Sequence, residues 1–593
     1  MMYAGKQGRS RNDGSDKAKN KIYVIKRLWK YLYFYKTKLF FAIILTIIAN
    51  VLSLVGPFLT GQTISAMENG VDFEKVFYFA GLMIAFYLLS SLLTYFLSVQ
   101  MTKISQSVVY KMRKDLFDKL NKVSVSYFDQ NQTGDIISKM SYDIDTINTS
   151  LANDVISIFT SLITVVISFI MMLIMSPILV LVFILTIPIS ITITRVLSKI
   201  VKKKYRFRNQ KLGELNGFAE EMITGQRTIQ SYVQEDAILK KFDEINEEAT
   251  KATYEAGYYA TSVGPSVNFV SNLSVALVGV FGGILYFLGQ ISLGNLTSFT
   301  LYSRRFSGPI NQMSNIMADI QSALAAAERV FNVLDQPNEE EDVVNAIDLV
   351  DIQGEVKFKN VSFGYSENQI VLDNVSFRAP KGLVIAIVGP TGAGKTTLVN
   401  LLMRFYEINQ GQILIDNKDI KNLTRKSLRK AFSMVLQDTW IFHGTVYENI
   451  KYGNGDVSRF EVEEACKKAR IHSFISHLPN GYDTILTDEG LNISKGQKQL
   501  LVIARAILSK TKMLILDEAT SNVDTHTEVQ IQKAMLNLME DKTTFVIAHR
   551  LSTIQNANLI LVVKDGNIIE QGTHESLIEQ NGFYKHLFIS QFS

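Results

Sequence analysis

The residues able to do chemistry are concentrated in the second half of the chain. Gly389-Pro390-Thr391-Gly392-Ala393-Gly394-Lys395-Thr396 fits the phosphate-loop spacing G-x-x-x-x-G-K-[ST], and Thr397 extends it. Glycines at these positions let backbone N–H groups turn toward phosphate oxygens, and a helix starting at the end of the loop adds the positive end of its dipole. Lys395 is placed to bridge a β- and a γ-phosphate, and the Thr396 hydroxyl to ligate Mg²⁺. Further on, Met513-Leu514-Ile515-Leu516-Asp517-Glu518 reads as an apolar strand ending in two carboxylates. The strand would hold Asp517 against the metal's shell, and Glu518 would polarise a water. Another apolar run, Thr544 to Ala548, ends at His549, where a γ-phosphate sensor would stand. Taken singly, a carboxylate pair after a strand is a solvated strand end and a lone histidine is structural; beside a phosphate loop they form a catalytic set.

These residues need a particular scaffold. The loop is preceded by the apolar run Val384 to Val388 and followed by the apolar helical run Leu398 to Met403. Leu383 to Val388, Met513 to Leu516, Thr544 to Ile547 and Leu559 to Val563 are short β-branched runs separated by helical segments. That alternation predicts an α/β domain with a largely parallel sheet over 351–593. Ahead of it a helical stretch, Ala323 to Leu334, ends in Gln336-Pro337-Asn338 and the acidic run Glu339 to Asp342, so residues 336–350 are expected to be a linker.

The first half has the opposite composition. The 593 residues are 47% hydrophobic and 20% charged with a net charge of +5, averages that show neither disorder nor a nucleic-acid-binding excess of charge. The length exceeds one core. The single Cys466 excludes an intrachain disulfide and a Cys-rich zinc site. Residues 39–59, 76–97, 155–175, 177–194 and 266–289 contain no Asp, Glu, Lys or Arg. Each is close to the roughly 20 residues that cross a hydrocarbon core. A sixth span is expected at 295–317 despite Arg304, Arg305, Gly308 and Pro309, because an even number of crossings returns the chain to its starting side. Nine Lys or Arg among residues 1–30 put the N-terminus in the cytoplasm, and no signal peptide is evident. Residues 1–21 are expected to be a basic, disordered tail, and Ile22 to Tyr35 an amphipathic helix at the membrane interface; the membrane domain occupies 22–335. The connections 98–154 and 195–265 are helix-like, with turn residues at Asp129 to Gly134 and at Thr224-Gly225. Each reads as a helical hairpin whose arms of about 28 residues reach roughly 40 Å inward.

With these features together the chain resembles a half-size ABC transporter of the exporter type (type IV fold, bacterial multidrug and lipid exporters). The expected fold is an α-helical membrane domain of six transmembrane helices with long cytoplasmic extensions, fused to an α/β P-loop NTPase (ABC) domain. The resemblance implies further roles. Tyr365, in Phe363-Gly364-Tyr365, matches the aromatic that stacks on adenine, and Gln437, in Val435-Leu436-Gln437-Asp438, the glutamine that contacts Mg²⁺ and the attacking water. Asp524, in Ser521-Asn522-Val523-Asp524, matches the key position of the loop through which two nucleotide sites communicate. Tyr127-Phe128-Asp129 with Gly134-Asp135, and Met222-Ile223-Thr224-Gly225, resemble the loops that dock on nucleotide-binding domains. In the signature motif, usually L-S-G-G-Q, Ser494, Gly496 and Gln497 match, and Lys495 replaces the central glycine of Ile493-Ser494-Lys495-Gly496-Gln497.

Two readings of that departure stay open: Lys495 is tolerated or adds charge at the phosphate, or the motif serves a weakened second site. The second would make this chain the catalytic-glutamate half of a heterodimer, which is favoured over a homodimer. The resemblance implies ATP and Mg²⁺ as cofactors and a second half-transporter as partner, with no nucleic acid bound. It also implies ATP-driven export of amphipathic small molecules or lipids across the bacterial cytoplasmic membrane, both termini being cytoplasmic. The alternative is a nucleotide-gated channel or regulator that does not pump. Arg304 and Arg305 are the one strongly ionic pair in the spans, read either as substrate ligands or as snorkelling and helix-packing residues.

Overall fold

The computed structural model describes residues 20–68, 70–366, 369–437, 439–486, 493–517, 524–547 and 554–592. It divides into two units, one formed by the described residues up to Asn121 and Thr133–Gln336, the other by Lys122–Gln132 and Pro337 onward.

The first unit is helical: α1 (Lys21–Tyr33), α2 (Lys36–Glu68), α3 (Phe73–Leu120), α5 (Thr133–Met175), α6 (Pro177–Thr224), α7 (Gln226–Ser231), α8 (Glu235–Phe287) and α9 (Leu293–Leu334), with α4 (Val125–Gln130) belonging to the second unit. Among the described residues α2, α3, α5, α6 and α8 are long and apolar enough to cross a membrane. The sixth expected span lies within α9, whose arginines make it less apolar, and the stretch Ala323 to Leu334 is the end of this same helix. The long connections are realised as continuations of the spanning helices, since α6 has 48 residues and α8 has 53, lengths of about 70–80 Å at 1.5 Å per residue. Lys204–Glu255 (2.5 Å) and Lys211–Glu248 (2.7 Å) join these two arms; such exposed pairs set register more than stability.

Proline and hydroxyl groups position α9. Pro57 interrupts the hydrogen-bond ladder of α2, and α9 supplies hydroxyls to that turn. Ser298 Oγ donates to the Pro57 carbonyl at 2.9 Å and Tyr302 Oη to the Leu54 carbonyl at 2.6 Å. Lower on α9, Arg329 donates twice, at 2.9 and 2.6 Å, to the buried Asp143, which lies on a π-helical turn of α5. The interfacial helix expected at 22–35 is α1. Its Arg27 pairs with Asp335 and lies over the Phe331 ring, while Ile22, Ile25 and Trp29 remain exposed.

Among its described residues the second unit has twelve strands: β1 (Val356–Phe363), β2 (Leu372–Ala379), β3 (Val384–Val388), β4 (Gln410–Ile415), β5 (Lys418–Asp419), β6 (Phe432–Val435), β7 (Gly444–Thr445), β8 (Ile485–Leu486), β9 (Met513–Asp517), β10 (Thr543–Ile547), β11 (Leu559–Lys564) and β12 (Asn567–Gly572). A six-stranded sheet has the order β12-β11-β3-β10-β9-β6, parallel except for edge strand β12. An antiparallel sheet has the order β2-β1-β4-β5, and β7 pairs with β8. Alternate residues of the central strands enter two different cores: Ala386, Leu514, Val546 and Val562 one, Ile387, Ile515, Phe545 and Leu561 the other. Burial on both faces is why these strands read as unbroken apolar runs.

The acidic run after Pro337 does more than link. Asp342 receives Arg425 at 2.8 Å, and Glu407 receives Arg425 at 2.6 Å and Arg404 at 2.7 Å. Arg404 and Arg425 are only 4% and 8% exposed. Glu339 holds Arg429, and its N–H donates to the Lys122 carbonyl at 2.7 Å.

Candidate functional site

The sheet register explains how distant motifs meet. Asp517 is paired with Ile547, which is paired with Ile387, so β9, β10 and β3 end together. The phosphate loop leaves β3 at this edge, and α10 (Lys395–Leu402) begins from it. Gly394, the N-cap of α10, has φ +103°, and a Cβ there would meet the Leu372 side chain at 2.7 Å. A Cβ on Gly389 would lie 2.1 Å from the Val563 carbonyl. Both positions admit only glycine, and the resulting turn leaves the first-turn amides of Lys395, Thr396 and Thr397 aimed out of the helix end.

Lys395 is 8% exposed, and its Nζ donates to the carbonyls of Gly389 (2.8 Å) and Pro390 (3.0 Å). Burial lowers its pKa, and the Asp517 carboxylate opposes that shift. A cation held over the loop, with a carboxylate facing it across the strand ends, is arranged to receive phosphate. Tyr365 is 47% exposed and stands beside this helix end, its hydroxyl 3.1 Å from Thr397 Oγ1. Phe363 and Tyr406 brace its ring edge-on, each at a centroid distance of 5.0 Å. Pro390, Thr391, Gly392 and Ala393 complete the loop, with the Ala393 N–H donating to the Pro390 carbonyl. Thus Tyr365, the loop from Gly389 to Thr397 and Asp517 are brought together.

Gln437, Ser494, Gly496, Gln497 and Asp524 belong to other parts of the same unit. Gln437 is exposed two residues beyond β6. Ser494 caps α11 (Lys495–Leu508): it accepts from the Gln497 N–H at 3.2 Å, and the Gln497 side chain accepts from the Ser494 N–H at 2.8 Å. Gly496 is buried and Lys495 is exposed in the first turn. Asp524 caps α12 (Thr525–Met539) by accepting from the Thr527 N–H at 2.9 Å, which holds its carboxyl below the usual range. Glu518, His549 and Ser521 to Val523 lie outside the described residues.

Sequence reasoning missed Tyr406. It braces Tyr365 and donates to Asp129 of α4, in the Tyr127-Phe128-Asp129 stretch singled out above. Its one signal was an aromatic pair, Phe405-Tyr406, just past the helix that follows the loop.

In the first unit, Thr192, Ile193, Val196 and Leu197 of α6 and Pro265, Ser266 and Phe269 of α8 line an apolar groove of about 620 Å³. Arg304 and Arg305 are exposed on α9.

Fold and loop together define a multi-pass membrane protein carrying a P-loop ATPase. The ABC transporter transmembrane-region profile matches residues 39–310, and the ABC transporter profile matches residues 372–521. An uncharacterized ABC transporter ATP-binding protein of Bacillus subtilis, YfiC, is 43% identical over 580 residues, which cover 97% of this chain and 95% of that protein. A fatty acid ABC transporter ATP-binding/permease protein of Mycobacterium bovis is 41% identical, covering 87% of this chain and 82% of its own length. The solved structure of a bacterial Atm1-family ABC exporter with ATP bound superposes with a TM-score of 0.76 at 28% identity, over 94% of this chain and 98% of that one. The chain belongs to the ABC transporter family. It has the exporter fold and is a membrane protein of the bacterial cytoplasmic membrane that binds ATP and couples its hydrolysis to transport.

Proposed function

We propose that this chain is one half of a dimeric exporter that moves amphipathic small molecules or lipids across the cytoplasmic membrane by alternating access. The ATP-site reading is carried by one observation: Lys395, the glycine-built loop, Tyr365 and Asp517 converge at one edge of the parallel sheet. In this reading Glu518 polarises the attacking water, His549 senses the γ-phosphate, and Gln437 contacts both water and metal. The Thr396 hydroxyl, the Asp517 carboxylate and the Gln437 amide are hard oxygen donors, the set Mg²⁺ takes beside phosphates, and would hold it. Bound there, Mg²⁺ supplies charge neutralisation at the β- and γ-oxygens. Ser494, Gly496 and Gln497 open a helix whose first turn carries Lys495 and Lys498, cations at the positive end of a dipole. That arrangement disfavours itself until an anion is present and supports a phosphate-facing role toward the ATP of a second half-transporter. The exposed Lys495 in place of glycine supports a heterodimer, in which the partner brings the standard signature.

The substrate class rests on the apolar groove between α6 and α8, whose volume is in the range of ligand pockets, and on the mycobacterial relative, whose name specifies fatty acids. The test is ATP hydrolysis and ATP-dependent accumulation of an amphiphile in inverted vesicles, comparing wild type with Glu518→Gln. The expected result is accumulation by wild type and loss of at least about 100-fold in turnover in the variant. Wild-type turnover in Glu518→Gln removes its catalytic role, and hydrolysis without accumulation favours the gated channel.

A further inference from the structure

Arg304 and Arg305 stand about 17 Å along α9 from its outer end, close to the middle of a hydrocarbon core of about 30 Å. Their helix is fixed in rotation. Phe299, Tyr302, Ser303 and Phe306 form its buried face, and Ser298 and Tyr302 are hydrogen-bonded to carbonyls of α2. At 100° per residue the two arginines fall on the opposite side, with Thr297, Gly308 and Gln312. A face turned toward lipid tails would be apolar. This one carries two arginines, Thr297 and Gln312 with Leu301 the one large apolar residue among them, a mainly polar face as expected of a helix lining a watered cavity.

Among the described residues the arginines have no counter-charge. Neither forms an ion pair with a described residue. The other five spans contain no Asp or Glu, and the next carboxylate along α9 is Asp319, about 21 Å away. A second copy would bring two more arginines and no carboxylate at this depth. From the middle of the core, the side chains are also too short to reach either interface.

We propose that Arg304 and Arg305 form the headgroup site of the transported molecule, and that this molecule is an anionic amphiphile whose oxyanion pairs with the two guanidiniums while its chain lies on apolar helix surface. The proposal rests on the exporter reading above and adds the sign of the substrate's charge. Guanidinium forks match planar carboxylates and tetrahedral phosphates alike, so the shared chemistry is an oxyanion on an alkyl chain.

The experiment uses the full chain, with its partner half if the complex is heterodimeric, in zwitterionic liposomes. ATPase stimulation is measured against hexadecanoate, hexadecyl phosphate, hexadecanol and hexadecyltrimethylammonium, for wild type, Arg304→Lys with Arg305→Lys, and Arg304→Glu with Arg305→Glu. Wild type is expected to respond to the two anions at concentrations at least about tenfold below the alcohol and the cation; the better anion identifies the headgroup. The lysine variant keeps the preference for anions. The glutamate variant inverts it, responding to the cation at lower concentration than to either anion, a gain that misfolding cannot produce. Wild-type stimulation by the cation or the alcohol equal to that by the anions overturns the proposal and leaves the exporter reading standing. A glutamate variant with unchanged preference for anions also overturns it. If no amphiphile of any charge alters ATPase or is moved, the amphiphile reading falls and this inference falls with it.

Discussion

Two pairs of arginines in this protein are in opposite circumstances. Arg404 and Arg425 in the nucleotide unit are buried, and each is met by carboxylates of its own chain, Asp342 and Glu407. Arg304 and Arg305 in the membrane unit are exposed and fall in the sixth expected span, which like the other five holds no carboxylate. A guanidinium in low dielectric is costly unless paired. A folded chain therefore supplies the pair itself where the group is structural, and leaves it open where another molecule is to bring the charge. Lys395 is intermediate: it is buried like the first pair, but its present partners are two loop carbonyls. In the proposed reading that is a positive centre held in place for an anion that arrives with the nucleotide.

The largest expected effect tests this intermediate case. Lys395→Ala is expected to lower ATP hydrolysis at least about 100-fold while the purified protein keeps its thermal unfolding midpoint within a few degrees; hydrolysis within threefold of wild type would mean that the loop amides alone suffice. A smaller but still large effect is expected from Arg425→Ala, which leaves Asp342 and Glu407 short of a partner. Destabilisation of the nucleotide unit should be about 3 kcal/mol, read from denaturant unfolding of the purified transporter. A loss below about 1 kcal/mol would show that the acidic strap is a solvated tether. The smallest effect should come from Arg304→Gln, which removes a charge with no ion-pair partner among the described residues. Its stability is expected to stay within about 0.5 kcal/mol of wild type in the same measurement. A large loss there would break the comparison by revealing a structural role for the pair.

Much of the nucleotide site was legible because its geometry is local. Eight consecutive residues build the phosphate loop, and the glycine conformations that make it are properties of those residues. Strands β3, β9, β10 and β11 were placed to within a residue or so, because burial on both faces marks them as apolar runs. The acidic strap was not legible. Glu339 and Asp342 looked like a solvated linker because Arg404, Arg425 and Arg429 lie more than sixty residues further along the chain. Tyr406 was missed for a related reason: its partners, Tyr365 and Asp129, come from two other parts of the chain.

By itself, then, the sequence determined where apolar length is sufficient to cross a membrane, which eight residues have the phosphate-loop spacing, and that two arginines fall within the sixth expected span. Each of these depends on residues adjacent in the chain and on covalent or short-range geometry. Tertiary structure decided which charges are paired and which are left open. It turned the acidic strap onto buried guanidiniums, aligned the ends of β3, β9 and β10, and set the rotation of α9 through Ser298, Tyr302 and the turn at Pro57. The physical reason is that a charge's free energy is set by the groups packed around it, and most of those groups are distant in sequence.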